Sequence, residues 1–388
     1  MIERIAKKKI LELSEKIPVI TVTGPRQSGK TTLVKSIFPS YSYVNLEYTD
    51  NRRFAADDPR GFLRSFSDGV IIDEVQHVPT LLSYIQGNVD ESGLMGRYIL
   101  TGSQNLLLLQ NVSQSLAGRT AILHLLPLSL EELFAKKYKR AAYEDWIVQG
   151  FYPRLYDKKL SPQDWIPDYI ETYLERDVRN VLNVQDLSLF RTFLRLCAGR
   201  IGQILNLSSL GNDIGVDQKT VRKWLSVLEA TFTVFILRPY FRNFNKRMIK
   251  SPKLYFIDTG IACNLLEIKS PSELSSHYAR GALFENLILS ELWKNNLNRA
   301  LQPDIYFWRD SNGHEVDCLA ESAGKIRGLE IKSGRTVAKD FFDGLQFLQE
   351  AAGVLFDKGE VIYGGDSAQN RSTYKVEPWF NIAKMRME

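Results

Sequence analysis

One segment near the N-terminus decides the fold of the first domain: residues 19–35 read VITVT-GPRQSGKT-TLVK. Gly24–Thr31 matches the phosphate-binding pattern G-x-x-x-x-G-K-[ST]. The apolar run Val19–Thr23 predicts a strand before it, and the following pattern predicts a helix, which is the context that this motif requires. In such a turn, backbone N–H groups surround phosphate oxygens at the start of the helix. The segment therefore predicts a nucleotide phosphate site at the end of a buried strand.

The motif also carries the side chains that a nucleotide site needs. Lys30 is placed to bring a positive charge to the β- and γ-phosphates, and the Thr31 hydroxyl to ligate Mg²⁺. The alternative is a glycine turn with an unrelated lysine, and the flanking strand and helix argue against it. The residues expected to bind ATP are Gly24, Pro25, Arg26, Gln27, Ser28, Gly29, Lys30, Thr31 and Thr32, with Ser103 further along the chain.

An acidic pair follows the next strongly apolar run. Val70–Ile72 predicts a strand, and Asp73 and Glu74 stand at its end. Asp73 is expected to hold Mg²⁺ through water, and Glu74 to orient or deprotonate the attacking water. An ordinary strand end is the alternative, but the order after Lys30 favours the catalytic interpretation. The pair therefore predicts ATP hydrolysis with Mg²⁺.

Two further polar positions are candidates for the same site. Ser103 follows the predicted strand Tyr98–Leu100, where a polar residue can sense the γ-phosphate, or form only a polar turn. Arg119 precedes the predicted strand Ile122–Leu125. In a homo-oligomer it is placed to act in trans as an arginine finger on a neighbour's γ-phosphate, and a surface arginine without that role is the alternative.

A resemblance to a known family rests on motifs that occur in a fixed order. They are Gly24–Thr31, Ile72–Gln76, Leu100–Gln104, Leu116–Arg119, Leu126–Ser129, Gly150–Pro153 and Tyr173–Asp177. From about Ile17 to about Ser333 the chain resembles prokaryotic AAA-type ATPases that carry an uncharacterised C-terminal region. The resemblance implies an AAA+-like core, a helical lid, a winged helix and a nuclease-like C-terminal domain. It also implies that Arg154 and Arg176 contact nucleotide from the lid.

The composition excludes several other classes of protein. Of the 388 residues, 44% are hydrophobic and 24% are charged, which is typical of a globular chain and not of a long disordered one. Three widely spaced cysteines exclude a disulfide framework and favour a cytoplasmic protein. No run of 18 apolar residues is present, so no membrane span is expected.

The charge is unevenly distributed along the chain. Residues 186–255 contain 12 Lys or Arg and 4 Asp or Glu, whereas all the other residues contain 38 and 41. The net charge of +5 thus conceals a strongly basic middle segment. Such a segment predicts an anionic partner.

The basic segment contains a helix-turn-helix pattern. Leu207–Leu225 indicates two helices around a turn at Gly215, with Asp217 as N-cap of the second. Val221, Trp224, Leu225 and Leu228 recur at helical spacing and are expected to face a core. The expected DNA contacts are Lys219, Arg222 and Lys223 on the outer face, and Arg242, Lys246, Arg247 and Lys250 in the loop of a predicted wing. A protein-interaction module or a solvated surface is the alternative.

In the C-terminal segment, charged residues follow one another in the order found in a class of nuclease sites. Glu285 lies on a predicted helix, Gly281–Trp293, and Asp317 on a predicted strand, while Glu330 and Lys332 share one face of the next strand. This resembles the PD-(D/E)xK nuclease superfamily, except that Val316 replaces the superfamily's proline. The resemblance implies that Asp317 and Glu330 ligate Mg²⁺ and that Lys332 positions water or neutralises the transition state. Glu285 matches a helix carboxylate found in part of the superfamily. Cleavage and binding without cleavage both stay open.

Together these patterns predict an α/β protein of four parts. They are a P-loop AAA+ parallel-sheet core (1–126), a helical lid (127–185), a winged helix (186–268) and a restriction-endonuclease-like α/β domain (277–388), with a linker near Lys269–Ser276. The expected function is Mg²⁺-dependent ATP hydrolysis by a protein that acts on DNA and either cleaves or grips it. The alternative is an ATP-dependent switch that binds DNA or protein without cleavage.

Overall fold

A computed structural model describes residues 2–103, 112, 115–174, 187–240 and 251–387. The chain forms two compact units. Unit 1 consists of Met1–Leu128, Ala230–Phe232 and Asn296–Leu301, and unit 2 of Ser129–Glu229, Thr233–Asn295 and Gln302–Glu388. No helix in the described ranges is long and apolar enough to cross a membrane.

Unit 1 is built on a parallel sheet of five strands in the order β2-β3-β4-β1-β5. The strands are β1 (Val19–Thr23), β2 (Ser42–Asn45), β3 (Val70–Asp73), β4 (Tyr98–Gly102) and β5 (Thr120–His124). Its helices are α1 (Ala6–Ser14), α2 (Lys30–Ile37), α3 (Thr49–Asp57), α4 (Pro59–Arg64) and α5 (Leu81–Ser92). The predicted parallel α/β sheet is confirmed.

The central strands β1, β3 and β4 are buried on both faces, which explains why they read as largely apolar runs. Alternate residues point to opposite faces, so Val19 packs with α5 while Ile20 packs with α1 and α2. One predicted strand is displaced: β5 begins at Thr120 and not at Ile122, because Thr120 and the residue after it pair with β1. Sequence pattern alone missed this start because Thr120 and Ala121 precede the strongly apolar part of the run.

Unit 2 contains one sheet of eight strands in the order β12-β13-β11-β10-β9-β8-β6-β7. The strands are β6 (Val234–Pro239), β7 (Lys253–Phe256), β8 (Ile305–Arg309), β9 (Glu315–Ser322), β10 (Lys325–Lys332), β11 (Phe356–Tyr363), β12 (Gln369–Asn370) and β13 (Tyr374–Pro378). The helices are α6 (Leu130–Ala135), α7 (Tyr143–Gln149), α8 (Pro153–Asp157), α9 (Pro162–Tyr169), α10 (Leu187–Gly199), α11 (Leu207–Ile214), α12 (Gln218–Ala230), α13 (Thr259–Leu265), α14 (Pro271–Ser276), α15 (Arg280–Leu297) and α16 (Asp343–Ala352).

Strand β6 joins two segments that the sequence assigned to different domains. It pairs antiparallel with β7, with Val234 opposite Phe256, and parallel with β8, with Arg238 opposite Tyr306. The predicted linker was wrong in part, since residues from Pro271 form α14. Ser270 caps this helix by accepting a hydrogen bond from the Glu273 N–H at 3.2 Å. The predicted domain bounds are otherwise untested and stay predictions.

A buried ion pair lies on α15. The Lys294 Nζ is 2.9 Å from the Glu291 Oε1, and both side chains are fully buried. The second Glu291 oxygen accepts the Leu130 N–H at 2.7 Å, and the Lys294 ammonium lies 3.8 Å from the centroid of the Phe151 ring. Burial raises the pKa of Glu291, and the Lys294 charge opposes that rise. The pair therefore fastens the helical segment after residue 129 to the long helix of the same unit.

Removing the Lys294 charge is expected to destabilise unit 2. Lys294→Met leaves Glu291 buried without a counter-charge, which should lower the free energy of unfolding by about 3–5 kcal/mol. All six tryptophans of the chain lie in unit 2, so tryptophan fluorescence during urea unfolding reports on this unit. The double variant Glu291→Gln/Lys294→Met removes both charges and should recover much of the loss. An unchanged urea midpoint for Lys294→Met would contradict this account.

Candidate functional site

The phosphate-binding loop joins β1 to α2 and needs glycine at two positions. Gly24 has φ of +150°, and a Cβ there would lie 2.2 Å from the Leu125 carbonyl oxygen of the next strand end. Gly29 has φ of +95° immediately before α2 begins. Lys30 is buried, and its Nζ donates to the Gly24 and Pro25 carbonyls at 3.0 and 2.9 Å. The lysine thus folds back over the loop that it follows.

An arginine from outside the loop hydrogen-bonds to it, and two polar side-chain atoms of the loop are buried. Arg4 donates to the Ser28 carbonyl at 2.7 Å and to the Leu126 carbonyl at 2.6 Å, a role that no sequence motif indicated. The Ser28 hydroxyl and the Gln27 side-chain oxygen are buried and have no hydrogen-bond partner among the described residues. Of these two groups the Ser28 hydroxyl can donate a hydrogen bond to a phosphate oxygen, whereas the Gln27 oxygen can only accept one.

Asp73 collects hydroxyl groups from three neighbouring elements. Its Oδ2 accepts the Thr31 hydroxyl at 2.9 Å and the Tyr43 hydroxyl at 2.8 Å, while its Oδ1 accepts the Thr101 hydroxyl. The predicted pair of Thr31 and Asp73 is therefore brought together. Tyr43 and Thr101 were not assigned to this role from the sequence, although both lie on strands adjacent to β3.

Glu74 lies directly beside this cluster in a left-handed backbone conformation, with φ of 56°. It accepts hydrogen bonds from the Gln76 amide and from Ser103, whose hydroxyl is 2.9 Å away. Burial alone would raise the pKa of Glu74, but the Lys30 charge and these hydrogen bonds outweigh it and lower the pKa. Glu74 is therefore an anion at neutral pH, and Ser103 contacts it directly.

The loop and the two carboxylates fit a Mg²⁺–nucleotide complex. Thr31 and Asp73 offer the hard oxygen donors that Mg²⁺ prefers, and Lys30 offers a cation for the phosphates. Of the remaining predicted residues, Thr32 is exposed on α2 and Arg26 lies 3.9 Å from Glu47.

Arginines were predicted to act in two ways, as an arginine finger and as nucleotide contacts from the lid. Arg119 forms a two-pronged ion pair with Asp90, with contacts of 2.5 and 2.8 Å. Its guanidinium is one third exposed, and its action in trans stays a prediction. Arg154 is exposed on α8, and Arg176 lies outside the described residues.

The second carboxylate site forms where β9 and β10 part. Their ladder ends at the pair Cys318 and Leu329, and beyond it the Asp317 carboxylate accepts the Ile331 N–H at 2.8 Å. The Lys332 Nζ lies 2.6 Å from Glu330 and 3.8 Å from Asp317. The contact of Lys332 with the Glu330 Oε2 is an ion pair. Its angles are not those of a hydrogen bond, and this oxygen accepts no hydrogen bond from the described residues.

A lysine that the sequence did not assign enters the same site from β7. The Lys253 Nζ lies 2.5 Å from Glu315 and 3.4 Å from Glu285, which also accepts the Tyr255 hydroxyl. Burial raises the pKa of Glu285 to about 7, with Asp317 adding to the rise while Lys253 opposes it. The structure thus brings together all four predicted residues, Glu285, Asp317, Glu330 and Lys332. The one available signal for Lys253 was a lysine at the start of an otherwise apolar strand.

The fit of this second site to a divalent cation is poor in the arrangement described. We call Glu285, Glu315, Asp317 and Glu330 the C-terminal carboxylate cluster. Each of the four is ion-paired to a protein cation: Glu285 and Glu315 to Lys253, and the other two to Lys332. Glu315 also pairs with Arg309 at 3.2 Å. Within the described ranges no group of three or more His, Cys, Asp or Glu side chains is arranged to hold a metal ion. The metal-ligand roles of Asp317 and Glu330 stay predictions.

The predicted DNA-contacting face of α12 is exposed. Val221, Trp224, Leu225 and Leu228 are buried as predicted, and the Asp217 carboxylate accepts the Thr220 N–H at 2.7 Å, which confirms it as the cap. Lys219, Arg222 and Lys223 are all exposed. Arg242, Lys246, Arg247 and Lys250 lie outside the described residues.

Three protein families match successive parts of the chain. The family described as "AAA domain" matches residues 16–134. Two families described as "Domain of unknown function" match residues 140–272 (DUF8612) and residues 280–381 (DUF4143). The first match and the loop geometry define unit 1 as an AAA-type P-loop ATPase domain.

Two similar proteins match most of the chain. Uncharacterized protein Rv2008c of Mycobacterium tuberculosis is 30% identical over 363 residues, which cover 92% of this chain and 80% of that protein. The chain belongs to the same family as Rv2008c. Uncharacterized protein MJ1544 of Methanocaldococcus jannaschii is 23% identical over 353 residues, covering 81% of this chain and 76% of that protein.

Solved structures that resemble the chain are more distant. The Walker-type ATPase PABY2304 of Pyrococcus abyssi is 14% identical with a TM-score of 0.45, covering 69% of this chain and 96% of that one. The RuvB Holliday junction branch migration motor of Thermotoga maritima is 18% identical with a TM-score of 0.28, covering 60% and 88%.

A side chain at Gly24 is expected to disrupt the loop. Gly24→Ala places a Cβ against the Leu125 carbonyl, so affinity for a fluorescent ATP analogue should fall by about ten-fold or more. Gly118→Ala is the matched control, because Gly118 also has positive φ but nothing within 4 Å of a Cβ. It should cost about 1 kcal/mol of stability and leave nucleotide affinity unchanged. Equal affinities for both variants would rule out the steric explanation.

Proposed function

We propose that the protein binds and hydrolyses ATP with Mg²⁺ in its AAA domain. The observation that carries the proposal is the hydrogen bond from Thr31 to Asp73, with Glu74 beside it at the open end of the sheet. Thr31 and Asp73 would hold Mg²⁺, which neutralises charge on the phosphates when bound. Lys30 is already buried at the loop and turns from the loop carbonyls to the phosphates.

Glu74 is the residue suited to act on the attacking water. It is anionic, and hydrogen bonds from Gln76 and Ser103 fix its carboxylate within the site. A carboxylate held in this way can orient a water and accept its proton. Because Ser103 follows β4 and contacts Glu74, a change at the γ-phosphate position would reach Glu74 through that strand end.

Two substitutions separate ATP binding from hydrolysis. Lys30→Ala is expected to weaken ATP binding and abolish turnover, because the phosphates lose their buried cation. Glu74→Gln should lower phosphate release by about 100-fold or more while ATP still binds, since shape is kept and the base is lost. Glu91→Gln, the same change at an exposed position of α5, is the control. Normal turnover in Lys30→Ala and Glu74→Gln would remove the ATPase assignment.

We also propose that α12 and the β6–β7 hairpin form a winged helix that engages DNA. The support is the division of α12 into a buried apolar face and an exposed face with Lys219, Arg222 and Lys223. The wider segment holds 12 cations and 4 anions among its charged side chains, which suits a polyanion. The alternative is a protein partner. The salt dependence of binding distinguishes DNA from a protein partner.

Neutralising the exposed face should weaken DNA binding and its dependence on salt. In the triple variant Lys219→Ala/Arg222→Ala/Lys223→Ala, the slope of log affinity against log salt should become less steep by about three, if each cation meets a phosphate. Fluorescence anisotropy of a labelled duplex between about 50 and 200 mM salt measures the slope. Replacing the exposed Lys136, Lys139 and Lys375 by alanine is the charge-matched control. Equal losses in both triple variants, or binding that ignores salt, would contradict the assignment.

The C-terminal domain has two candidate roles, which are cleavage of DNA and binding without cleavage. The pairing of its carboxylates with Lys253 and Lys332 favours binding without cleavage, because a carboxylate neutralised by an ammonium group is not presented to a metal ion. In that role ATP turnover in the AAA domain would govern how the chain engages its partner.

In this proposal the protein forms a homo-oligomer, and Arg119 acts across the interface between two copies. Its guanidinium is partly exposed and bound to Asp90, which is itself exposed, so the pair can open at little cost. In an assembly, Arg119 would reach the γ-phosphate of a neighbouring copy and stabilise the charge of the transition state.

A further inference from the structure

Lys253 is the least expected member of the C-terminal carboxylate cluster. Its side chain is 3% exposed, whereas that of Lys332 is 32% exposed. Its backbone is fixed from two sides, since it pairs with Leu237 in the β6–β7 ladder and forms a bridge with Ile204. The ammonium group therefore has a set position within the cluster, unlike Lys332, whose partly exposed side chain can turn to solvent.

Three carboxylates of the cluster surround this ammonium group. Glu315 and Glu285 contact it directly at 2.5 and 3.4 Å, and Asp317 lies close enough to act on its charge. Burial lowers the pKa of Lys253, but these three carboxylates outweigh burial and raise it, so the group is a cation. Carboxylate oxygens are the donors that a hard divalent ion prefers, but here they are arranged around an ammonium group and not around a metal ion.

A metal ion and the Lys253 ammonium compete for the same oxygens. A divalent ion bound to Glu285, Glu315 or Asp317 would face a fixed positive charge only a few ångströms away, in a buried site where charges are weakly screened. Lys253 cannot leave by rotation alone, because its whole side chain is enclosed and its backbone belongs to β7. The cluster is thus already filled by a charge of the protein itself.

We propose that the ammonium group of Lys253 takes the place of a divalent cation in the C-terminal carboxylate cluster. The cluster then binds Mg²⁺ or Mn²⁺ weakly in the wild-type chain, and loss of the Lys253 charge turns it into a metal site of carboxylate oxygens. The proposal goes beyond ATP hydrolysis and does not depend on it.

Mn²⁺ binding to the nucleotide-free full chain, followed by electron paramagnetic resonance, tests the proposal. Lys253→Met should bind one Mn²⁺ about ten-fold or more tightly than the wild type. Lys253→Arg keeps the charge and should bind as weakly as the wild type. Lys253→Met/Asp317→Asn should lose the gain, which assigns it to this cluster and not to the phosphate-binding loop. Equal Mn²⁺ affinities of wild type and Lys253→Met would overturn the proposal.

Thermal unfolding keeps the test valid if Lys253→Met folds poorly. That variant leaves Glu285 buried without its counter-charge, while Glu315 keeps Arg309 and Asp317 keeps Lys332. Its midpoint should therefore fall in metal-free buffer and rise again with Mn²⁺. Tyr255→Phe removes only the hydroxyl contact to Glu285 and keeps Lys253, so Mn²⁺ should not shift its midpoint. A Lys253→Met protein that Mn²⁺ fails to stabilise would also overturn the proposal. ATP turnover, measured in parallel, bears on the AAA domain alone.

Discussion

The site in unit 1 depends on one constraint, which is that parallel strands end together at the same edge of a sheet. Because β1, β3 and β4 are neighbours in register, the loop after β1, Asp73 at the end of β3 and Thr101 on β4 must meet there. The hydrogen bonds from Thr31, Tyr43 and Thr101 to Asp73 are the result. The pairing of the strands therefore places these side chains next to one another.

Unit 2 is subject to a different constraint, which is the free-energy cost of burying charged side chains. Glu291 and Lys294 neutralise each other on α15, while Lys253 and Lys332, both on strands of the eight-stranded sheet, neutralise the C-terminal carboxylate cluster. These pairs tie segments that are distant in the chain, as the contact of Glu291 with Leu130 does across 161 positions. The continuity of the sheet through β6 and the buried ion pairs together explain why these segments form one compact unit.

Local pattern was enough to predict some of this architecture and not the rest. The loop Gly24–Thr31 and the helix face with Val221 and Trp224 follow from short-range spacing, and the structure has them where the sequence placed them. Arg4 and Lys253 could not be found in the same way. Each acts on residues far along the chain, 24 positions from Ser28 and 62 from Glu315, and neither belongs to a periodic pattern. Their roles exist only once the fold is formed.

The two carboxylate sites show that residue type alone does not decide what a carboxylate binds. Asp73 is held by hydroxyl groups, which are neutral, and the Thr31 hydroxyl can itself turn to a metal ion as a ligand. Asp317 and Glu330 are held by Lys332, and Glu285 by Lys253, so a metal ion would have to displace charges and not only dipoles. A motif of the D…E-x-K kind fixes the acids and one lysine. It does not encode the second lysine from another strand, which pairs with the remaining acids, Glu285 and Glu315.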